Sequence, residues 1–148
     1  MNKYELLLDD VLLIDEAILY RIRALKDFSD VKAGDLGGYV GNEANLSQYG
    51  NCWLYDAAAA FENARIFWDA KMYNESMVYG NARIFGRAIL CNEVQIHKGW
   101  ISGNAILKGN VITEGYSYNL NGFITPLFEK QWADKVKGNG RSSVAPPF

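Results

Sequence analysis

CWLYDAAAAFENARIFWDAKMYNESMVYGNARIFGRAILCNEVQI, residues 52–96, repeats one short phrase every six positions. Each phrase is a compact residue, any residue, and then an apolar residue. The compact residues are Cys52, Ala58, Ala64, Ala70, Ser76, Ala82, Ala88 and Val94, and their apolar partners are Leu54, Ala60, Ile66, Met72, Val78, Ile84, Leu90 and Ile96. A strict period of six fits neither an α-helix nor a simple strand, and it is typical of a parallel β-helix built from hexapeptides.

The same phrase extends beyond this run on both sides, with two irregularities. A two-residue insertion within 47–50 precedes Cys52, and one residue is missing after Val94. The additional units are Gly38 with Val40, Ala44 with Leu46, Gly99 with Ile101, Ala105 with Leu107, and Val111 with Thr113. The thirteen units from 38 to 111 predict an all-β fold of about four triangular coils, because each side of a coil is one short strand and one turn.

Residues eighteen apart are predicted to stack inside the coils, in one column for each side. The three columns are Leu54, Met72, Leu90 and Leu107; Ala60, Val78, Ile96 and Thr113; and Ile66, Ile84 and Ile101. Compact residues suit the tight corners, where a larger side chain would overpack. Residues that tolerate unusual dihedral angles are placed in the turns, namely Asp56, Asp69, Asn74, Gly80, Asn81, Asn92, Gly109 and Asn110.

Both ends of the chain lie outside the repeat and are expected to cap it, since an open β-helix exposes sheet edges. The predicted boundaries are 1–37 for an N-terminal β cap, 38–114 for the β-helix, and 115–148 for a C-terminal extension. In the extension, Phe128–Val136 is compatible with a short amphipathic helix, and 138–147 is compatible with a flexible arm.

Within the N-terminal cap, two strands are predicted. Leu19–Leu25 alternates in strand fashion and is expected to pair with Tyr4–Leu8 through a turn near Asp9 and Asp10. A helix over residues 11–25 is the competing interpretation of the same stretch.

Composition points to a globular protein without a broad basic surface. The 148 residues are 49% hydrophobic and 22% charged, with a formal net charge of −2, so nucleic acid is not an expected partner. Acidic residues interrupt the first apolar stretch, which is unlike a signal peptide or a membrane span. Cys52 and Cys91 lie two coils apart in the predicted register, beyond disulfide reach, and are interpreted as free thiols of a reducing, cytoplasmic compartment.

Four segments resemble a known family. They are ALKDF at 24–28, DVKAGDLGGYV at 30–40, LSQYGNCWLYD at 46–56 and YGNARI at 79–84. These are similar to the YdcK-like hexapeptide-repeat proteins, which occur in bacteria and, in short versions, in phages and prophages. The resemblance covers roughly 19–113 and implies a left-handed β-helix, whereas the period alone does not give the hand. It supplies no catalytic residues, although members are often labelled transferase-like.

Catalytic chemistry has one candidate, His97, which would be a general base only if the chain is an acyltransferase of the hexapeptide class. His97 follows an interior residue, so its side chain is expected to point outward, without a second residue that orients it. A lone histidine and two separated cysteines give no metal set, and no cofactor is expected. The glycine-rich run 34–38 lacks the lysine of a phosphate loop and is interpreted as the entry into the first coil.

The outward positions carry aromatic ladders at eighteen-residue spacing. The ladders are Tyr55 and Tyr73; Phe61, Tyr79 and His97; and Phe67 and Phe85, with Arg65, Arg83 and Trp100 beside them and Trp53 and Trp68 nearby. Stacking between coils, at about 0.5–1.5 kcal/mol per ring pair, is one interpretation. A partly buried interface is the other, because interfaces favour Tyr, Trp and Arg. Arg65 and Arg83 are either solvated charges or a grip for an anion.

These features favour a non-catalytic binding protein, phage- or prophage-derived, that acts through its outer aromatic faces. The expected partners are further copies of the chain, with a trimer favoured, and a host protein in the bacterial cytoplasm, with inhibition of a defence system as one such role. Two alternatives stay open. One is an oligomeric sponge that sequesters an anionic, nucleotide-like ligand, and the other is a trimeric acyltransferase.

Overall fold

The structure is a computed structural model that describes residues 1–109 together with the backbone of 112–113 and 118–124. The described chain is almost entirely β, with one short 3-10 turn, Glu43–Asn45. Two-residue strands follow one another every six residues through the repeat, and they stack on their equivalents as parallel ladders. The chain is therefore a parallel β-solenoid of about four turns, as the period predicts.

The register of the ladders confirms both irregularities in the repeat. The regular spacing is eighteen residues, as between Ala59 and Met77. Val40 pairs with Ala60, twenty residues on, across the two-residue insertion, and Arg83 pairs with Trp100, seventeen residues on, across the deletion. The strands of the solenoid are β3 (Leu36–Val40), β4 (Trp53–Leu54), β5 (Ala59–Ala60), β6 (Arg65–Ile66), β7 (Lys71–Met72), β8 (Met77–Val78), β9 (Arg83–Ile84), β10 (Ile89–Leu90), β11 (Gln95–Ile96), β12 (Trp100–Leu107), β13 (Ile112–Thr113) and β14 (Tyr118–Ile124).

The predicted interior columns form the core. Every described member of the three columns is buried, and the compact residues from Cys52 to Val94 are buried beside them. The exception lies in the second unit, where Ala44 is exposed in the 3-10 turn. Asn45 is buried instead, and its amide donates to the carbonyls of Glu62 and Ala64 at 3.1 and 2.9 Å. A hydrogen-bonded amide therefore fills the first corner in place of a small apolar residue.

From Cys52 to Ala88, each unit of the repeat places one residue at positive φ, four positions after its compact residue. The non-glycine residues there are Asp56, Glu62, Trp68, Asn74 and Asn92, with φ between 56° and 60°. Along one edge the side chains form a ladder, in which Asp56 accepts from the backbone N–H of Asn74 at 2.9 Å and Asn74 accepts from that of Asn92 at 3.0 Å. Side-chain oxygens thus satisfy corner N–H groups that the short strands leave unpaired.

The N-terminal cap is an antiparallel hairpin, so the helix over 11–25 is wrong. Its strands are β1 (Tyr4–Ile14) and β2 (Ala17–Ala24), and β2 pairs antiparallel with β3. The turn near Asp9 and Asp10 is also wrong, because β1 runs through these residues with a register shift between Leu7 and Val11. The chain reverses instead at residues 15–16, where Asp15 adopts a φ of 53°. Continuous pairing with β2 beyond the irregularity outweighs the local turn preference of the two aspartates.

At the other end, β14 pairs in parallel with β12, from Ile101 with Tyr118 to Leu107 with Ile124. Parallel pairing thus extends past residue 114, the predicted end of the repeat. The predicted helix Phe128–Val136 and the arm at 138–147 lie outside the described residues. The domain boundaries and the left hand of the coil stay predictions.

Candidate interaction surface

The three sides of the solenoid each carry one aromatic ladder, and we name the sides by what they hold. The covered face carries β5, β8 and β11; the tyrosine face carries β4, β7 and β10; the arginine face carries β6, β9 and the start of β12. The stacking predicted from the eighteen-residue spacing is confirmed on all three, with ring centroids 4.4 Å apart for Tyr55 and Tyr73, 5.1 Å for Phe61 and Tyr79, 5.5 Å for Tyr79 and His97, and 4.9 Å for Phe67 and Phe85.

The covered face lies under the N-terminal hairpin. Phe61 is only 7% exposed and clusters with Leu19 and Tyr39, against which Leu12 and Ile14 also pack. The expectation that Phe61 is an outer-surface residue is therefore wrong, because residues before the repeat fold back over it. The Phe61 end of the ladder on the covered face is thus buried by the chain's own hairpin and needs no partner to bury it.

His97 closes this ladder without the surroundings of a general base. Its ring stacks on Tyr79, and its Nδ1 is buried with no hydrogen-bond partner among the residues that the structure describes. A base in acyl transfer needs a partner that fixes its tautomer and a route to the substrate proton. In the described part of the chain, His97 has a stacking role and no such partner.

The tyrosine face is tied to the loop at 26–35. The Tyr55 hydroxyl donates to Asp30 Oδ1 at 2.5 Å, and Lys71 Nζ donates to Ser29 Oγ at 2.8 Å. Burial, with the bond to Asp30, raises the pKa of Tyr55, and the same bond lowers the pKa of the Asp30 carboxyl. Tyr55 and Tyr73 are half-buried, so this ladder is held partly by the chain itself.

Trp53 belongs to the core and not to the exterior. It is buried under Tyr4 and Phe28, whose rings lie 6.2 and 5.2 Å from it in edge-on contact. In the repeat, Trp53 occupies an outward position. The equivalent residues one and two coils on, Lys71 and Ile89, are only half-buried. Cap residues far away in sequence supply the cover, and the hexapeptide pattern carries no signal for it.

The arginine face is the one that the described cap leaves open. A shallow groove of about 310 Å³ lies on it, lined by Arg65, Phe67, Arg83, Phe85 and Trp100. Two tryptophans stand at its edge, Trp68 at 60% exposure and Trp100 at 59%. Trp68 contacts Phe67 and Phe85 edge-on at 5.4 and 5.5 Å, and Trp100 contacts Phe85 at 6.2 Å. The groove therefore has rigid aromatic walls formed by stacked and T-shaped rings.

The two arginines of the groove are held in place by backbone and not by acids. Arg65 Nη1 donates to the Ala64 carbonyl at 3.1 Å, and Arg83 Nη1 donates to the Asn63 carbonyl at 2.8 Å. They are direct neighbours on β6 and β9, and within the described chain neither lies within 4.0 Å of a carboxylate. Neighbouring like charges on adjacent strands repel. A partner's carboxylate or phosphate would relieve that repulsion and accept the free N–H groups.

All five groove residues are candidate binding residues on the sequence alone, but the pattern does not distinguish Trp68 or this face from the others. Trp68 occupies a corner position at φ 60°, where its neighbours along the repeat are mostly Asp, Asn or Gly. A tryptophan at the place of a turn former is the signal that could have marked this edge. Nothing in the repeat itself shows which of the three ladders the cap covers.

Other site types are not found in the described part of the chain. It holds no group of three or more His, Cys, Asp or Glu side chains that could bind a metal ion. Cys52 and Cys91 are free thiols, one buried and one half-buried. Within the same residues, no helix has the length and apolar character needed to cross a bilayer.

Comparison with known proteins finds a partial match. No family model matches the chain. The chain is 50% identical over 50 residues, 33% of its length, to a protein of Escherichia coli strain K12 named uncharacterized acetyltransferase YdcK. The matched part spans only 15% of that protein. Together, this match and the parallel β-solenoid fit a hexapeptide-repeat family.

Proposed function

We propose that the chain is a non-catalytic binding protein that engages a protein partner through the arginine face. The observation that carries the proposal is the groove, whose aromatic walls and two exposed tryptophans flank arginines that have no acid partner among the residues described. Tyr, Trp, Phe and Arg are the residues that protein interfaces concentrate at their centres. A rigid β-solenoid holds these side chains in place before binding, which lowers the entropy cost of association.

The finer parts of this proposal rest on the family resemblance, on the outer aromatic ladders and on the two free cysteines. They are the phage or prophage origin of the chain, a host protein as partner with inhibition of a defence system as its outcome, a homotrimeric assembly, and a cytoplasmic location. A trimer that packs the arginine faces around a three-fold axis would fill the groove and compete with a protein partner for it. Oligomeric state is therefore measured together with partner binding.

The groove also supports a second candidate, an oligomeric sponge for an anionic, nucleotide-like ligand. A volume of about 310 Å³ is at the lower end of small-molecule sites. Arg65 and Arg83 could hold one phosphate group from adjacent coils while a planar base stacks on the aromatic walls. Native mass spectrometry of protein purified from cells separates the two, because a sponge retains a small molecule and a protein-binding module does not.

An acyltransferase is the third candidate, and the name of the E. coli relative is what favours it. It predicts binding of coenzyme A and turnover with a panel of acyl donors that is lost in His97→Ala. Turnover that depends on His97 would replace the binding proposal, whereas no turnover across the panel removes this candidate.

The proposal is tested by charge reversal in the groove. The double variant Arg65→Glu with Arg83→Glu is compared with Lys26→Glu with Lys98→Glu, which changes the net charge equally at exposed sites outside the groove. We expect the wild type and the control to co-purify with the same protein from the native host, and the groove variant to lose it by at least about tenfold, since two charge-assisted contacts are reversed. Equal capture by all three proteins, with unchanged oligomeric state, would overturn the proposal.

A further inference from the structure

Lys3 is a buried lysine, and lysine side chains are almost never fully buried unless the amine is paired with another group. The residue is 1% exposed, and its backbone is fixed on both sides, since its N–H donates to Gln48 Oε1 at 2.8 Å and its carbonyl accepts from Leu25 at 2.8 Å. The side chain extends into the solenoid, where Nζ contacts the Gly50 and Cys52 carbonyls. It ends 5.0 Å from the centre of the Phe28 ring.

The amine of Lys3 meets the thiol of Cys52. Nζ lies 3.3 Å from Sγ and 2.8 Å from the Cys52 carbonyl, and a third contact reaches the Gly50 carbonyl at 3.3 Å. The thiol can donate its own proton to backbone carbonyls, of which Ser47 is at 3.5 Å. The sulfur thus presents its lone pairs to the amine while its S–H is turned elsewhere.

Burial favours the uncharged forms of both groups, the neutral amine of Lys3 and the neutral thiol of Cys52. It lowers the pKa of the Lys3 amine and raises the pKa of the Cys52 thiol, although each partner's charge works against the shift of the other. Cys52 is fully buried, and Tyr4 and Trp53 are buried around the pair. The chain therefore holds a primary amine and a thiol in contact, fixed and shielded from water. Neither the ladders nor the groove explains this pair.

We propose that Lys3 and Cys52 form an N–O–S bridge, a covalent link between Nζ and Sγ through one oxygen atom. The co-reactant is dioxygen, which is small enough to enter a closed core. One N–H bond, the S–H bond and the O=O bond break. An N–O and an O–S bond form to one oxygen atom, and the other oxygen atom leaves as water with the two hydrogens. Nitrogen and sulfur each lose two electrons, and dioxygen gains the four. Thiol reductants reverse the link, as they reverse other oxidised cysteines of the lower states.

The bridge would lock the cap to the solenoid. Lys3 precedes β1 of the hairpin and Cys52 precedes β4, and the two residues are 49 positions apart in sequence. A covalent link across so long a loop removes chain entropy from the unfolded state, in the same way as a disulfide. The hairpin covers Phe61, so an oxidised molecule keeps the covered face closed under conditions in which a reduced one opens. This inference is independent of what the arginine face binds.

Intact-mass and peptide mass spectrometry test the bridge on the full chain. Protein purified in air without reductant is expected to be heavier than the reduced protein by about 14 Da, the gain of one oxygen and loss of two hydrogens. Because a modified Lys3 resists trypsin, the digest should contain Met1–Arg21 joined to Ala33–Arg65. Dithiothreitol should return the mass and separate the peptides. It should also lower the melting temperature by on the order of 5 °C or more.

Variants and the wild-type digest make the outcome decisive. Cys52→Ser and Lys3→Arg should each lose the mass gain, whereas Cys91→Ser, at the half-buried cysteine, should keep it. If a variant does not fold, the wild-type digest alone still locates the link. A mass gain that survives dithiothreitol is methylation and overturns the proposal, as do oxygen added to Cys52 without a linked peptide and an unmodified mass after prolonged exposure to air.

Discussion

Trp68 is held in a backbone conformation that bulky residues rarely adopt. Its φ of 60° costs roughly 1–2 kcal/mol relative to a right-handed conformation, since its Cβ crowds the following carbonyl. Such strain persists where the surroundings or a function maintain it. Here the strained residue stands 60% exposed at the edge of the groove, with edge-on contacts to two phenylalanines. We infer that the conformation is retained because it sets the indole against Phe67 and Phe85, the aromatic walls of the groove.

Replacing Trp68 with glycine should separate stability from binding. Glycine removes the strain of the positive φ but also two ring contacts of about 0.5–1.5 kcal/mol each, so the two effects largely offset and the free energy of unfolding should change by no more than about 2 kcal/mol. Partner capture should fall by at least about tenfold, as expected for an interface tryptophan. Urea denaturation and the capture assay measure the two effects. Glu62→Gly, at the same corner position on another edge, is the control and should leave capture unchanged. Undiminished capture by Trp68→Gly would remove this tryptophan from the interface.

At the scale of the element, one coil is stabilised by columns that continue through its neighbours. Ile84 lies between Ile66 and Ile101 in the third column, and all three are buried. Ile89 is the same residue type at an outward, half-buried position on β10. The two isoleucines differ chiefly in which way the strand turns their side chains.

Alanine substitution at these two positions should show the inward and outward difference. Ile84→Ala should destabilise the protein by about 2–5 kcal/mol, because it leaves a cavity in a column that cannot collapse between fixed coils. Ile89→Ala should cost about 1 kcal/mol or less, since the side chain is already partly in water. Urea denaturation at neutral pH compares them. Similar losses for both variants would contradict the assigned register.

The corner ladder gives a second prediction at this scale. Asn74 adopts a φ of 60° and accepts a hydrogen bond from the N–H of Asn92, so both its backbone and its side chain contribute. Both Asn74→Gly and Asn74→Ala remove the acceptor, but alanine keeps a Cβ at positive φ, whereas glycine has none. The free energy of unfolding of the Asn74→Ala variant should therefore be lower than that of Asn74→Gly by about 1 kcal/mol, measured by thermal or urea unfolding. Equal stability of the two variants would mean that the corner relaxes without its left-handed residue.

At the scale of the whole molecule, the shifted groups make stability depend on alkaline pH. Burial raises the pKa of Tyr4, Cys52, Tyr55, Tyr73 and Cys91. The folded chain then keeps protons that the unfolded chain releases above its usual values, about 8.5 for Cys and 10 for Tyr. The stability from these groups is complete below about pH 8.5 and is lost as pH rises. Lys3 acts in the opposite sense, because its lowered pKa lets the folded state lose a proton first.

The net expectation is a fall in the free energy of unfolding between about pH 8.5 and 11, since five acids oppose one lysine. Urea denaturation at several pH values, with reductant present so that the thiols stay free, measures the slope. Tyr4→Phe removes one buried phenol and should make the decline shallower. A stability that rises with pH across this range would mean that Lys3 dominates.

The six-residue period by itself determined the coil, the interior columns and the stacked rings. This works because each hexapeptide pairs with its own equivalents one coil away, so a local pattern sets non-local contacts such as Ile66 with Ile84. The positions of the insertion and the deletion follow from the same frame. They are confirmed where Val40 pairs with Ala60 and Arg83 with Trp100.

Only the tertiary structure decided which ladders the N-terminal cap covers and what lies inside that cap. The hairpin covers Phe61, Tyr4 and Phe28 bury Trp53, and Lys3 reaches Cys52, all through contacts between the non-repeating cap and the coils. Such contacts have no period, and they depend on the bend of β1 and its turn at residues 15–16 rather than at the two aspartates. The repeat therefore specified three equivalent faces, and packing of the cap made the arginine face different from the other two.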